Sequence, residues 1–159
     1  MNHEDSKKDL PQGPFVAGEW IMRRIFHKKK HYNSSLSPTV RADAFFPRPA
    51  ENTGISLSRR KSDTYPHFLD EHLFKSACGY NDPEYRAKCG VCAFQIEFAY
   101  SIELEVKPMP TEEDKGHVEL PQITYDDFYQ SNEQRHQEIM SLILKIIAEA
   151  SDNLLIQPG

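Results

Sequence analysis

Three sets of side chains in this 159-residue sequence have the types and spacing to do chemistry. The first is Gly116-His-Val-Glu119. On a strand, His117 and Glu119 point to one side, two residues apart. An imidazole and a carboxylate so placed can serve as acid, base or metal ligand. They can equally be a solvent-facing polar pair or a structural hydrogen bond. The second set is Arg23, Arg24, Ser56, Ser58 and Arg59, spread over two segments that read as strands. If those strands are neighbours, the side chains converge. Arginine forks then grip phosphates bidentately and serine hydroxyls assist. The bland alternative is surface arginines beside an ordinary strand. The third set is cysteine. Cys89-Gly-Val-Cys92 has the two-residue gap of a zinc knuckle, and Cys78 with a histidine such as His72 would complete a tetrahedron. Cys92, however, opens an apolar alternation and reads as core. The expectation is therefore no cofactor, with zinc at Cys78, Cys89 and Cys92 as the alternative.

Charge frames these sets. The formal net charge is -5, yet residues 23–61 hold ten Lys or Arg against two acids, Asp43 and Glu51. Lys28, Lys29 and Lys30 are the densest part of that stretch. A basic stretch on an acidic chain attracts a nucleic acid, a nucleotide's phosphates or an acidic partner, or pairs with the chain's own acids. A sequence pI near 5.8 works against non-specific DNA affinity. Mean hydropathy is -0.65, and no apolar run approaches the roughly 18 residues of a membrane span. The first residues carry no apolar stretch behind their lysines, so no secretory signal is visible. Three cysteines are too few for a disulfide framework, and a cytoplasmic location is the expectation. No phosphate loop, dinucleotide motif, His-Glu-x-x-His or nucleophile elbow occurs.

The elements that must hold these residues follow from periodicity. Residues 1–14 are polar, contain Pro11 and Pro14, and read as a flexible arm; residues 15–159 read as one domain. Trp20 to Phe26 is apolar on both faces, which predicts a central strand. Val40 to Phe46 reads as a short strand stopped by Pro47 and Pro49. Gly54 to Arg59 reads as another strand. Helices are expected from Pro66 to Gly79 and from Asp82-Pro83 to Cys89-Gly90. Cys92 to Val106 alternates apolar and small or polar residues at period two, predicting a long strand with a bend near Ala99–Ser101. Val118 to Ile123 would pair back as a hairpin arm. Thr124-Tyr-Asp-Asp127 and Ser131-Asn-Glu-Gln134 resemble capped helix starts. The long C-terminal helix carries two apolar stripes: Ile139, Leu142, Ile143, Ile146 and Ala150, then Met140, Leu144 and Ile147. A helix apolar over most of its circumference is buried on two sides or meets a partner. The elements do not alternate as in a doubly wound fold. The expected class is α+β: a mainly antiparallel sheet, a long C-terminal helix and one or two shorter helices packed on it.

Four segments, Trp20-Ile-Met-Arg-Arg-Ile, Ala44-Phe-Phe-Pro-Arg-Pro, Gly54-Ile-Ser-Leu-Ser-Arg and Gly116-His-Val-Glu-Leu, appear in that order. Together they resemble small uncharacterised bacterial proteins with F-x-P, G-[IL]-S and G-H-x-E segments, over about a quarter of the chain. An early-strand arginine, a middle-strand serine and a late glutamate also resemble the layout of ADP-ribosyltransferase-like folds. That resemblance implies Arg24 on NAD phosphates, Ser56 supporting the nicotinamide ribose and Glu119 on its 2′-hydroxyl. The chain departs from that family in having no Ser-Thr-Ser and no paired-glutamate motif.

Two functions follow as expectations. One is a small intracellular bacterial accessory or adaptor protein without enzymatic activity. It would bind a protein or phosphate-bearing partner through the basic 23–61 segment, and a protein partner or second copy through the C-terminal helix. Arg23, Arg24, Lys28, Lys29, Lys30 and Arg59 would hold the ligand. The other is a nucleotide-acting enzyme with Arg24, Ser56, His117 and Glu119 in one cleft.

Overall fold

The structure, a computed structural model, describes residues 13–26, 39–62, 89–112 and 114–156. Lys28, Lys29, Lys30, Cys78 and the two helices expected between Pro66 and Gly90 lie outside the described residues, apart from Cys89 and Gly90.

Six strands form one antiparallel sheet: β1 (Trp20–Phe26), β2 (Ile55–Arg60), β3 (Cys89–Gln95), β4 (Lys107–Pro108), β5 (His117–Leu120) and β6 (Leu155–Ile156). Their spatial order is β4-β5-β2-β1-β3-β6. Among the described residues three α-helices accompany them: α1 (Ile96–Ser101), α2 (Tyr125–Tyr129) and α3 (Glu133–Ser151). The α+β class, with a long C-terminal helix beside a mainly antiparallel sheet, is therefore present. No helix among the described residues is long and apolar enough to cross a membrane.

Register sorts the side chains into two faces, because residues paired across an antiparallel ladder point the same way. Ile21 faces Phe94 and Arg59, Arg23 faces Cys92, Ile55 faces Leu120, and Leu57 faces Val118. These share the core face, with the helices. There Ile139, Ile143, Ile146 and Ala150 of α3 bury fully at helical spacing. The first predicted stripe is this core contact. Its Leu142 is only partly buried. The opposite face carries Met22, Ser56, Ser58, Val91, Ala93, His117 and Glu119. Met22, Val91 and Ala93 are buried there too, so β1 and β3 are apolar on both sides, as a central strand is.

Helix starts obey capping chemistry. The Thr124 hydroxyl accepts the Asp127 N–H at 3.2 Å, and the Asn132 side chain accepts the Arg135 N–H at 2.8 Å. The second cap is Asn132 rather than Ser131, whose hydroxyl donates back to the Asp127 carbonyl.

Two segments differ from expectation. The long strand from Cys92 to Val106 ends at Gln95, and α1 follows. Tyr100, which period two would bury, is 60% exposed. Ile96 and Ala99 bury three residues apart, with Phe98 and Ile102 half-buried four apart. Alternation at 96, 98 and 102 serves a helix once Ala99 is counted as core rather than spacer. Glu103 then takes a left-handed φ of 57°, and the Leu104 N–H closes on the Ala99 carbonyl at 2.8 Å. The second difference is Val40 to Phe46. Only Val40 bridges, and Ala42–Phe45 is a 3-10 turn closed by Ala44 N–H on Arg41 and Phe46 N–H on Asp43.

Candidate functional site

Arg23 and Arg59 are placed on the core face, 6% and 1% exposed. Each is saturated from within. The Arg23 Nε donates to the Ala44 carbonyl at 2.7 Å, and one terminal nitrogen donates to the Ser56 carbonyl at 2.8 Å and to Glu51 Oε2 at 3.2 Å. Burial lowers the pKa of this guanidinium, and the Glu51 charge opposes that fall. Arg59 grips Glu19 with two nitrogens, at 2.6 and 2.9 Å, and donates to the Gly13 and Pro14 carbonyls at 2.8 and 3.2 Å. The Phe15 ring lies 4.3 Å from its guanidinium carbon. A buried charge requires such pairing. Gly13 and Pro14, assigned to the loose arm by composition, are thus tied to β2.

Glu51 explains a gap in the sheet. β1 and β2 pair only from Trp20–Arg60 to Met22–Ser58. Beyond that point Ser56 gives its N–H to Glu51 Oε2 at 2.8 Å and its carbonyl to Arg23. The ion pair replaces the lost ladder bonds. The other Glu51 oxygen accepts the Arg48 N–H at 2.9 Å and its Nε at 3.3 Å. Burial alone would raise this carboxyl. The Arg23 charge and the converging N–H bonds outweigh it and hold the carboxyl at about 2.

On the opposite face lies the polar row. Ser56 faces Glu119 and Ser58 faces His117 across the β2–β5 ladder. His117 Nε2 is 3.4 Å from Glu119 Oε2, and Thr53 donates to Glu119 Oε1 at 2.6 Å. Lys107 pairs with Glu119 from the other side, which places it on the same face. Ser58 donates to Asp114 instead of His117, and Asp114 also holds the Gly116 N–H at 2.9 Å. Arg24, half-buried, alternates with Arg23 and so belongs to this face. Arg24, Ser56, His117 and Glu119 therefore share a face, while Arg23 and Arg59 share the other. Ser58 thus gives its proton to the Asp114 carboxylate rather than to the His117 imidazole.

Cys92 sits on the core face, fully buried, and burial pushes its thiol up to about 12 despite the nearby Arg23 charge. Such a thiol is neutral at neutral pH. Cys89 lies in β3, and Cys78 is outside the described residues. Among the described residues no cluster of three or more His, Cys, Asp or Glu is arranged to hold a metal ion.

Sequence reasoning missed Glu19, Glu51 and Thr53. A signal existed for Glu51, one of two acids among ten basic residues. No family model, curated protein or solved structure matches the chain.

Proposed function

We propose that this chain is a small accessory or adaptor protein that binds a protein partner through the outer face of α3. The supporting observation is the second apolar stripe of that helix. Leu144 is 52% exposed, with Met140 and Ile147 only partly buried beside it at four- and three-residue spacing. An apolar helix face open to water costs solvation unless a partner covers it. With Arg23 and Arg59 engaged internally, a protein partner is favoured over a phosphate-bearing one. Leu144→Glu tests this without touching the core. Purified from its host, the wild-type chain is expected to carry one partner in stoichiometric amount and Leu144→Glu to lose it, with unchanged circular dichroism. Equal capture by both, or a bare monomer from both, refutes the reading.

A second reading is an enzyme acting on a nucleotide such as NAD. It is favoured by the shared face of Arg24, Ser56, His117 and Glu119, with Ser56 directly opposite Glu119. Turnover of NAD that vanishes in Glu119→Gln supports it. Absence of turnover in the wild type removes it.

A further inference from the structure

Arg23 and Arg59 each hold a carboxylate of this chain, Glu51 and Glu19. Arg60 does not. The pleat of β2 turns it away from the core, onto the face of Ser56 and Ser58. It is half-buried there. Among the described residues its guanidinium makes one hydrogen bond and no ion pair, and that bond runs back to the carbonyl of its own neighbour, Arg59, at 2.7 Å. Asp114 acts on it only through its field, because both carboxylate oxygens are taken. One accepts the Gly116 N–H at 2.9 Å and the other the Ser58 hydroxyl. Burial lowers the Arg60 pKa, and the Asp114 charge opposes that fall without closing to a contact. A guanidinium partly withdrawn from water and lacking a counter-charge is stabilised by any oxyanion that reaches it.

The surroundings select which oxyanion. A planar fork takes a carboxylate or a phosphate through two parallel N–H bonds. With Asp114 beside the site and a chain net charge of -5, one added negative charge is tolerated better than two, which favours a carboxylate over a phosphate dianion. Trp20 stands directly opposite Arg60 across the β1–β2 ladder, half-buried, with its indole N–H donated to the Ser62 carbonyl at 3.3 Å. Such cross-strand partners lie about 5 Å apart at Cβ, so the body of an anion held by Arg60 meets the indole. We propose that Arg60 and Trp20 form a binding site for a small carboxylate with an aromatic or apolar body. Neither residue belongs to the outer stripe of α3 or to the set of Arg24, Ser56, His117 and Glu119, so variants report on this site separately.

Trp20 is the single tryptophan of the chain, so its fluorescence reads the site directly. The test titrates the full chain with benzoate, with neutral benzamide and with inorganic phosphate, at constant ionic strength. Benzoate is expected to give a saturable change, and the other two weaker ones. Arg60→Gln is expected to weaken benzoate binding about tenfold, and Arg60→Lys, which keeps the charge but not the fork, about threefold. Lys107→Gln removes an exposed charge from the same face and should leave binding unchanged. Circular dichroism checks that each variant is folded. An equal response to benzamide would overturn the proposal by showing apolar packing alone, and an equal or stronger one to phosphate by showing a different anion. Undiminished affinity in both Arg60 variants, or no saturable response to benzoate, would overturn it as well.

Discussion

Removing Glu51 should be among the most damaging single changes in the described part of the chain. Its carboxylate holds Arg23, the Arg48 and Ser56 N–H groups and the Arg48 Nε, all within 3.3 Å. In Glu51→Ala the Arg23 guanidinium stays buried at 6% exposure, still served by two carbonyls but by no charge. Breaking a buried pair from one side costs about 3–5 kcal/mol. Titration supplies a second estimate. A carboxyl held at about 2 against an ordinary 4.5 corresponds to about 3 kcal/mol. Because the folded value is depressed, that contribution is complete above the ordinary value and is lost as pH falls from about 4.5 towards 2. The single tryptophan, Trp20, sits in β1 and reports unfolding directly. Urea titrations followed by its fluorescence at pH 7, 5 and 3 measure both effects. Wild type is expected to lose stability steeply across the acidic range. Glu51→Gln should start lower and show a shallower acid loss. A paired Arg23→Met, Glu51→Leu variant should recover only part of the loss: no orphan charge remains, but the Ser56 and Arg48 N–H groups and the Ala44 and Ser56 carbonyls lose their partners. A Glu51→Ala cost under about 1 kcal/mol, or an acid profile unchanged in Glu51→Gln, would refute the account of this pair as the pin between β1 and β2.

Three further outcomes can be checked quickly. Glu19→Gln weakens the clamp on Arg59, so cleavage by a broad protease near Gly13–Ala17 should accelerate several-fold before the rest of the fold yields. Cys92 should resist alkylation at pH 8 in the native protein and react only in denaturant; fast native labelling mapped to Cys92 would contradict its burial and raised pKa. Gly54→Ala should lower the melting temperature strongly, at a cost of about 2 kcal/mol or more, because φ is +137° and the new Cβ would stand 2.6 Å from the Leu120 carbonyl oxygen.

Much of the sheet was legible in the chain itself. Trp20–Phe26 was found to its exact ends, and Ile55–Arg60 within a residue, because β-branched and aromatic residues at period two leave little else to form. The C-terminal helix and the Thr124 cap were legible for the same local reasons. The segment after Gln95 was not. Its apolar positions satisfy both a strand and a short helix, and only packing of Ile96 and Ala99 against the core decides between them.

The candidate site divides in the same way. That His117 and Glu119 share a face is local geometry, available from a spacing of two. That Ser56 and Ser58 lie across from them depends on β2 pairing with β5, a long-range register no spacing encodes. The roles of Arg23 and Arg59 were decided wholly by tertiary structure. In sequence they are two members of a basic stretch, alike with Arg24. Once β1 and β2 are placed, the pleat turns Arg23 and Arg59 into the core and Arg24 away from it. There each buried guanidinium must find a carboxylate, and Glu51 and Glu19, 28 and 40 residues away, supply them.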